Sequence, residues 1–168
     1  MGPQKNILFR VDAGAEVGLG HFYRSLNLAK ALKKLGHRIL FTHKPSIFWL
    51  DRVNAGFEFE NLQLSSEENI IHQERIIKDF NIEIFYVDGF IDFSESEILS
   101  FKALGVTIVF YQNLTQSRIF SDIFILPSIH QGNSFFDKFS NNTNIYRGLI
   151  YFTFSEKILS LPKKKYRL

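Results

Sequence analysis

Cysteine is missing from all 168 residues. That excludes disulfides, thiolate zinc sites and a cysteine nucleophile. Long apolar runs are missing as well: no stretch approaches the roughly 20 residues of a membrane-spanning helix. The opening MGPQKNILFRVDAG lacks the apolar region and small-residue cleavage site of a signal peptide. The expectation is a cytoplasmic protein with no stable membrane insertion. The five histidines fall at no spacing that makes a metal site, and no nucleic-acid-binding motif is present. No metal, cofactor or nucleic-acid partner is expected. Two nucleotide signatures are also absent. There is no Gly-x-Gly-x-x-Gly fingerprint with an acid closing the second strand, and no phosphate loop ending in Gly-Lys-Ser/Thr. Nicotinamide cofactors and ATP hydrolysis lose support together.

What is present reads as one globular domain over residues 1–168. Apolar residues make up 45% and charged residues 22%, an ordinary soluble composition. Phenylalanine is heavy, with 19 copies. The net charge of +3 owes much to the tail LPKKKYRL, at Lys163, Lys164, Lys165 and Arg167, which reads as a solvated end.

Strands and helices alternate along the chain. NILFRV (6–11), HRILFTH (37–43), IEIFYVDGF (82–90), VTIVFY (106–111) and SDIFILPS (121–128) read as strands, and FEFENLQL (57–64) as a short strand and loop. Between them, the segment from Gly20 to Leu35 carries apolar residues at helical spacing and stops at Gly36. A short helix in KPSIFWLDRVNAG stops at Gly56. SSEENIIHQERIIKDF opens with serines and acids, and SESEILSFKALG ends in glycine; both read as helices. Nearly all-apolar strands alternating with helices predict an α/β, Rossmann-like, doubly wound and mostly parallel sheet covered on both faces. After Ser128 the pattern degrades into a polar and aromatic loop containing Phe135, Phe136 and Phe139, followed by the apolar IYRGLIYFTFSEKILSL.

Such sheets bind ligands at the carboxyl ends of their strands. Four segments are expected there: Asp12 with the glycine loop, Thr42-His43-Lys44, Asp88-Gly89-Phe90, and Tyr111-Gln112-Asn113. The loop VGLGHFYR places Gly18 and Gly20 before His21 at a helix start. Unpaired backbone N–H groups are expected in that loop, and the helix dipole there favours the neutral imidazole of a general base. His37, His72 and His130 read as exposed or solvated; His43 and Lys44 are candidates to face the pocket.

The string RVDAGAEVGLGHFYRSLNLAKAL, Arg10 to Leu32, resembles the opening of the UDP-sugar hydrolase family of pseudaminic acid biosynthesis. Arg10, Asp12, Gly18, Gly20, His21, Arg24, Leu26, Leu28, Ala29 and Leu32 fit its pattern. YVDGF resembles that family's Asp-His-Tyr strand end, VFYQNLTQSRIFSDIFILPS its Asp-Asp-Leu segment, and YRGLIYFTFSEKI the region closing its first domain. The resemblance implies the N-terminal domain of a glycosyltransferase B-like fold, with the nucleotide-binding C-terminal domain absent from 1–168 and supplied either by a separate chain or by the rest of a longer protein. By resemblance, His21 is the base that activates water against the anomeric carbon of a nucleotide-activated amino sugar. Gly18 and Gly20 shape the pocket, and Arg24 supports the loop or meets a phosphate. Asp12, Asp88 and Phe90 complete the substrate-binding set, Asp12 by ordering the glycine loop. The chain departs from the family where Asp-His-Tyr has become Asp88-Gly89-Phe90 and where Asp-Asp has become Gln112-Asn113. Two alternatives remain open: an acceptor-binding domain of a split glycosyltransferase, and a sugar- or protein-binding module without catalysis.

Overall fold

The computed structural model describes residues 2–64 and 69–160. The basic tail, and the serines and acids at positions 65–68, lie outside the described residues. The described chain forms seven strands: β1 (Asn6–Val11), β2 (Arg38–His43), β3 (Glu60–Gln63), β4 (Ile84–Asp88), β5 (Thr107–Tyr111), β6 (Ile123–Leu126) and β7 (Asn144–Arg147). Five helices accompany them: α1 (Gly20–Lys34), α2 (Ile47–Asn54), α3 (Asn69–Asp79), α4 (Glu95–Ala103) and α5 (Glu156–Leu159). The strands join in one sheet, in the order β3-β2-β1-β4-β5-β6-β7, and every pairing is parallel.

Strand periodicity decides what each face meets. Ile7, Phe9 and Val11 of β1 join Phe41, Tyr86 and Tyr111 in one core, against Phe22 and Ala29 of α1 and Trp49 of α2. Leu8 joins Leu40, Phe85, Val87, Ile108 and Phe110 in the other, against Ile76 and Ile77 of α3 and Ile98 and Phe101 of α4. Successive side chains point to opposite faces, so continuous apolar strands supply both cores at once. Trp49 is fully buried among Phe22, Phe41 and Phe57. The phenylalanine-rich composition therefore fills the interior.

Local signals set the helix ends. Gly36 takes φ +92; its N–H reaches the Lys33 carbonyl while the His37 N–H reaches Leu32. This is the paired 5→2 and 6→1 closure that glycine permits. Ser94 and Glu97 form a reciprocal capping box on α4. Ser46 caps α2 by accepting from Trp49 N–H at 3.2 Å, and its hydroxyl donates to the Ala13 carbonyl at 2.7 Å. The same serine thus ties α2 to the turn after β1.

Residues 129–143 form the expected loop, and a strand that was not expected follows it. Residues 144–147 pair with β6 as a seventh strand, which the single apolar-polar mixture of NIYR did not announce. The connection from β6 carries only a 3-10 turn, Asn133–Phe135, where a crossover helix is usual. Phe139 is buried there, with Phe135 and Phe136 packed beside it against Phe124. These three rings belong to the core and offer no exposed apolar patch. Among the described residues, no helix is long and apolar enough to cross a membrane, and no cluster of His, Cys, Asp or Glu is arranged to hold a metal ion.

Candidate functional site

Sheet order reverses direction between β1 and β4. Strands β2 and β3 continue to one side of β1, and β5, β6 and β7 continue to one side of β4. A parallel sheet opens a crevice at such a switch point, at the carboxyl ends of the two strands. Asp12 leaves β1 there, and Asp88-Gly89-Phe90 leaves β4; Val11 and Asp88 are register partners.

The glycine loop is a miniature hairpin. Gly14 and Gly18 bridge each other, with Gly18 N–H donating to the Gly14 carbonyl at 2.8 Å and the reverse bond at 3.4 Å. The expected free N–H groups at these two glycines are therefore engaged within the loop. Gly18 sits at φ +76, a conformation side chains resist. Gly20 is the first residue of α1, has no such φ, and faces open space where a Cβ would stand. Leu19 caps α1 without a side-chain bond.

His21, Arg24 and Ser25 follow at helical spacings of three and four, so they share one face of α1. That face meets Asp88, which alternation turns toward the α1 side of β4. The Asp88 carboxylate is fully buried. Arg24 Nε donates to its two oxygens at 3.0 and 2.7 Å, Arg24 Nη2 donates to Oδ1, and Ser25 Oγ donates to Oδ2 at 2.9 Å. His21 Nδ1 lies 3.0 Å from Oδ1 and 2.7 Å from Arg24 Nη2. Arg24 also donates through Nη1 to Gln112 Oε1 and lies 5.0 Å over the Tyr111 ring. Burial alone would lower the guanidinium's pKa, but the bonds and charge of Asp88 outweigh it and raise it. Arg24 is thus held inside the protein by Asp88, Gln112 and Tyr111. That arrangement suits an orienting role better than phosphate contact. Burial, with the charge of Asp88 behind it, also drives the Tyr86 hydroxyl well above its usual range, so a neutral phenol lies under the ion pair.

Asp12 does not order the glycine loop as expected. It pairs with the buried Arg10, two residues back on the same face of the strand, and accepts the Lys44 N–H at 2.8 Å. It therefore ties the end of β1 to the turn after β2. Burial pushes its carboxyl up, but Arg10 and the Lys44 amide outweigh that and hold it below the usual carboxylate value.

Gly89 lies in one of the strand-end segments expected at the crevice and also marks a departure from the family pattern. It adopts φ +111, and a Cβ there would stand 3.4 Å from the His21 ring carbon. Glycine lets the backbone pack flat against the imidazole. Gly89→Ala is expected to cost about 1–3 kcal/mol from the forced backbone conformation and to displace His21. Urea unfolding measures the first effect, and an unchanged midpoint would show that the turn tolerates a side chain. Phe90 stands largely exposed, at 69%, with its ring edge-on to His21 at a centroid distance of 6.1 Å. A cavity of about 390 Å³ is lined by Asp12, Glu16, Val17, His21, Asp88, Gly89, Phe90 and Ile91. Phe90 and Asp12 also border a neighbouring cavity of about 470 Å³ that runs along the glycine hairpin to Lys44, Ser46 and Phe48.

Other candidates take other places. His43 is buried, stacks on Trp49 at 4.0 Å, and donates through Nδ1 to the Lys44 carbonyl; burial holds its imidazole toward the neutral form. It belongs to the core, while Lys44 borders the cavities. His37 is half-buried and accepts the Lys5 N–H through Nδ1, and His130 is exposed. Asn113 is buried and structural. Its Nδ2 donates to the Ile91 carbonyl at 2.6 Å, which a carboxylate could not do, and its Oδ1 accepts from the Thr115 N–H and hydroxyl. Ser25 is the site residue that sequence reasoning missed; Gly89 and Gln112 lie in strand-end segments already expected at the crevice, and the structure adds their roles. Ser25's four-residue spacing from His21 was the available signal for it; nothing in the sequence pointed to Gln112's contact with Arg24.

No protein-family model matches the chain, and no curated protein matches it. Solved structures do. MurG from Acinetobacter baumannii superposes with a TM-score of 0.59 at 11% identity, covering 85% of this chain and 44% of that one. A glycosyltransferase from Rickettsia africae gives a TM-score of 0.60 at 15% identity, covering 86% of this chain and 42% of that one. The chain spans less than half the length of the solved proteins it matches. The fold is therefore that of a glycosyltransferase B-like, Rossmann-type α/β domain, as the strand order and switch-point crevice indicate.

Proposed function

We propose that this chain is the sugar- and nucleophile-binding half of an enzyme acting on a nucleotide-activated amino sugar for cell-surface polysaccharide or nonulosonic acid synthesis. His21 is its general base. The observation that carries this reading is the buried Asp88 carboxylate, 3.0 Å from Nδ1 of a histidine that lines the switch-point cavity. In the working form Nδ1 carries a proton and donates it to Asp88, and Nε2 takes a proton from the attacking hydroxyl. The imidazolium that forms is stabilised by the carboxylate behind it. Phe90 offers an apolar ring face to the sugar, and Gly20 leaves room for close approach.

The nucleophile separates two versions. Water makes the enzyme a hydrolase, as the sequence resemblance suggests. A sugar hydroxyl makes it a glycosyltransferase, which the likeness to two such folds favours. In both, the nucleotide is bound by a further domain, in the same longer protein or in a separate chain. The exposed Leu149, Ile150, Phe152 and Phe154 give that domain an apolar surface to meet.

Calorimetric titration of the chain with a UDP-N-acetylamino sugar, with UDP and with the free sugar tests the reading. Sugar-dependent heat is expected, and it should weaken in Phe90→Ala. Product analysis with the nucleotide-binding domain present separates free sugar from a transferred one. Heat from none of the three ligands, with no product, would overturn the proposal.

A further inference from the structure

His21 Nδ1 has two neighbours with opposite demands. A carboxylate oxygen needs a proton on Nδ1; a guanidinium nitrogen needs a lone pair. Arginine carries only donors and keeps its charge, so its demand is fixed. Asp88, by contrast, is already satisfied. Arg24 Nε and Nη2 and the Ser25 hydroxyl together supply both of its oxygens. Nη2 carries two hydrogens: one serves Asp88, and the second is left for the nitrogen 2.7 Å away. A proton on Nδ1 would set two donors face to face at that distance. A bare Nδ1 accepts, and every group is paired.

We infer that Arg24 is a positioning residue that holds His21 in its Nε2–H tautomer in the free chain, so that the proposed base is latent. In this state Nε2 donates to whatever oxygen enters the cavity. The base form appears only when Nη2 withdraws from Nδ1 and the ring proton moves from Nε2 to Nδ1, facing Asp88. The latent state is braced from behind. Gln112 accepts from Arg24 Nη1, and the Tyr111 ring lies beneath the guanidinium. Gln112 makes that contact from φ +50, a backbone conformation non-glycine residues seldom adopt and which collects at functional sites. Of the other groups around the ring, Gly89 covers its face and Phe90 its edge; Asp12 and Glu16 line the same cavity. None of these four bonds to Nδ1.

The second half of this inference, the latency of a base, rests on the proposed function; the tautomer does not. Long-range proton–nitrogen correlation spectroscopy of the isotope-labelled chain reads the tautomer directly, at a pH where histidine is neutral, with His21 assigned by its loss in His21→Gln. Wild type is expected to show Nε2–H. Arg24→Lys keeps a cation for Asp88 but lacks the second planar donor, and should show Nδ1–H. Gln112→Leu leaves the Asp88 pair untouched and should move part of the population the same way, which keeps the test available if Arg24→Lys does not fold. Nδ1–H in the wild type, or one unchanged tautomer in both variants, would overturn the inference. The expected tautomers without any glycosyl turnover would leave the positioning role standing and remove the function instead.

Discussion

His21→Gln should lower kcat by about 10²- to 10⁴-fold, the usual contribution of a positioned general base, with KM nearly unchanged. The amide can still accept from Arg24 Nη2, so the polar contacts of the helix face survive. What it cannot do is take a proton and pass it on. His21's side chain is 18% exposed and lies outside both apolar cores, so with the Arg24 contact kept the variant should cost on the order of 1 kcal/mol. The measurement is steady-state turnover of the sugar nucleotide with the nucleotide-binding domain present, beside a thermal melt. Full turnover in a folded His21→Gln protein would end the general-base reading. A matched fall in kcat and in melting temperature would mean that His21 supports the structure.

Removing the carboxylate behind it should act on stability first. Asp88→Ala leaves Arg24 buried beside a cavity with no counter-charge. Breaking one side of a buried pair costs about 3–5 kcal/mol, because the surviving charge stays desolvated. In a domain of this size that is a fall on the order of 10 °C in melting temperature. Ser25 and the neutral Tyr86 beneath it cannot replace a carboxylate. The double variant Asp88→Ala, Arg24→Leu should cost less than the two single losses added together, since it removes the unpaired charge as well as the pair. Urea unfolding of the three variants checks this. A simple sum would mean that Arg24 finds another partner or water, and that the buried cluster is not the unit described above.

Much of the fold was legible in the chain because the relevant forces are local. Apolar strands punctuated by helices ending in Gly36 and Gly56 fix a parallel sheet covered on both sides. The glycines at those ends have positive φ, which their position in the pattern already implied. The region after Ser128 was less legible. Its strand of four residues, NIYR, carries too little periodicity to announce itself, and its phenylalanines become core only because β6 lies beside them.

The site divided along the same line. His21 at the start of a helix, with Arg24 one turn on, followed from spacing, and Asp88 at a strand end followed from the strand's length. Their meeting did not, since His21 and Asp88 stand 67 residues apart. Sequence alone determined which residues sit at strand ends and helix starts, because turn chemistry and side-chain period act over a few residues. Only the tertiary structure decided that β4 lies beside β1, that its inward acid faces α1, and that Gln112 reaches back to Arg24. Those outcomes depend on sheet order, which is set by the packing of whole layers rather than by any one segment.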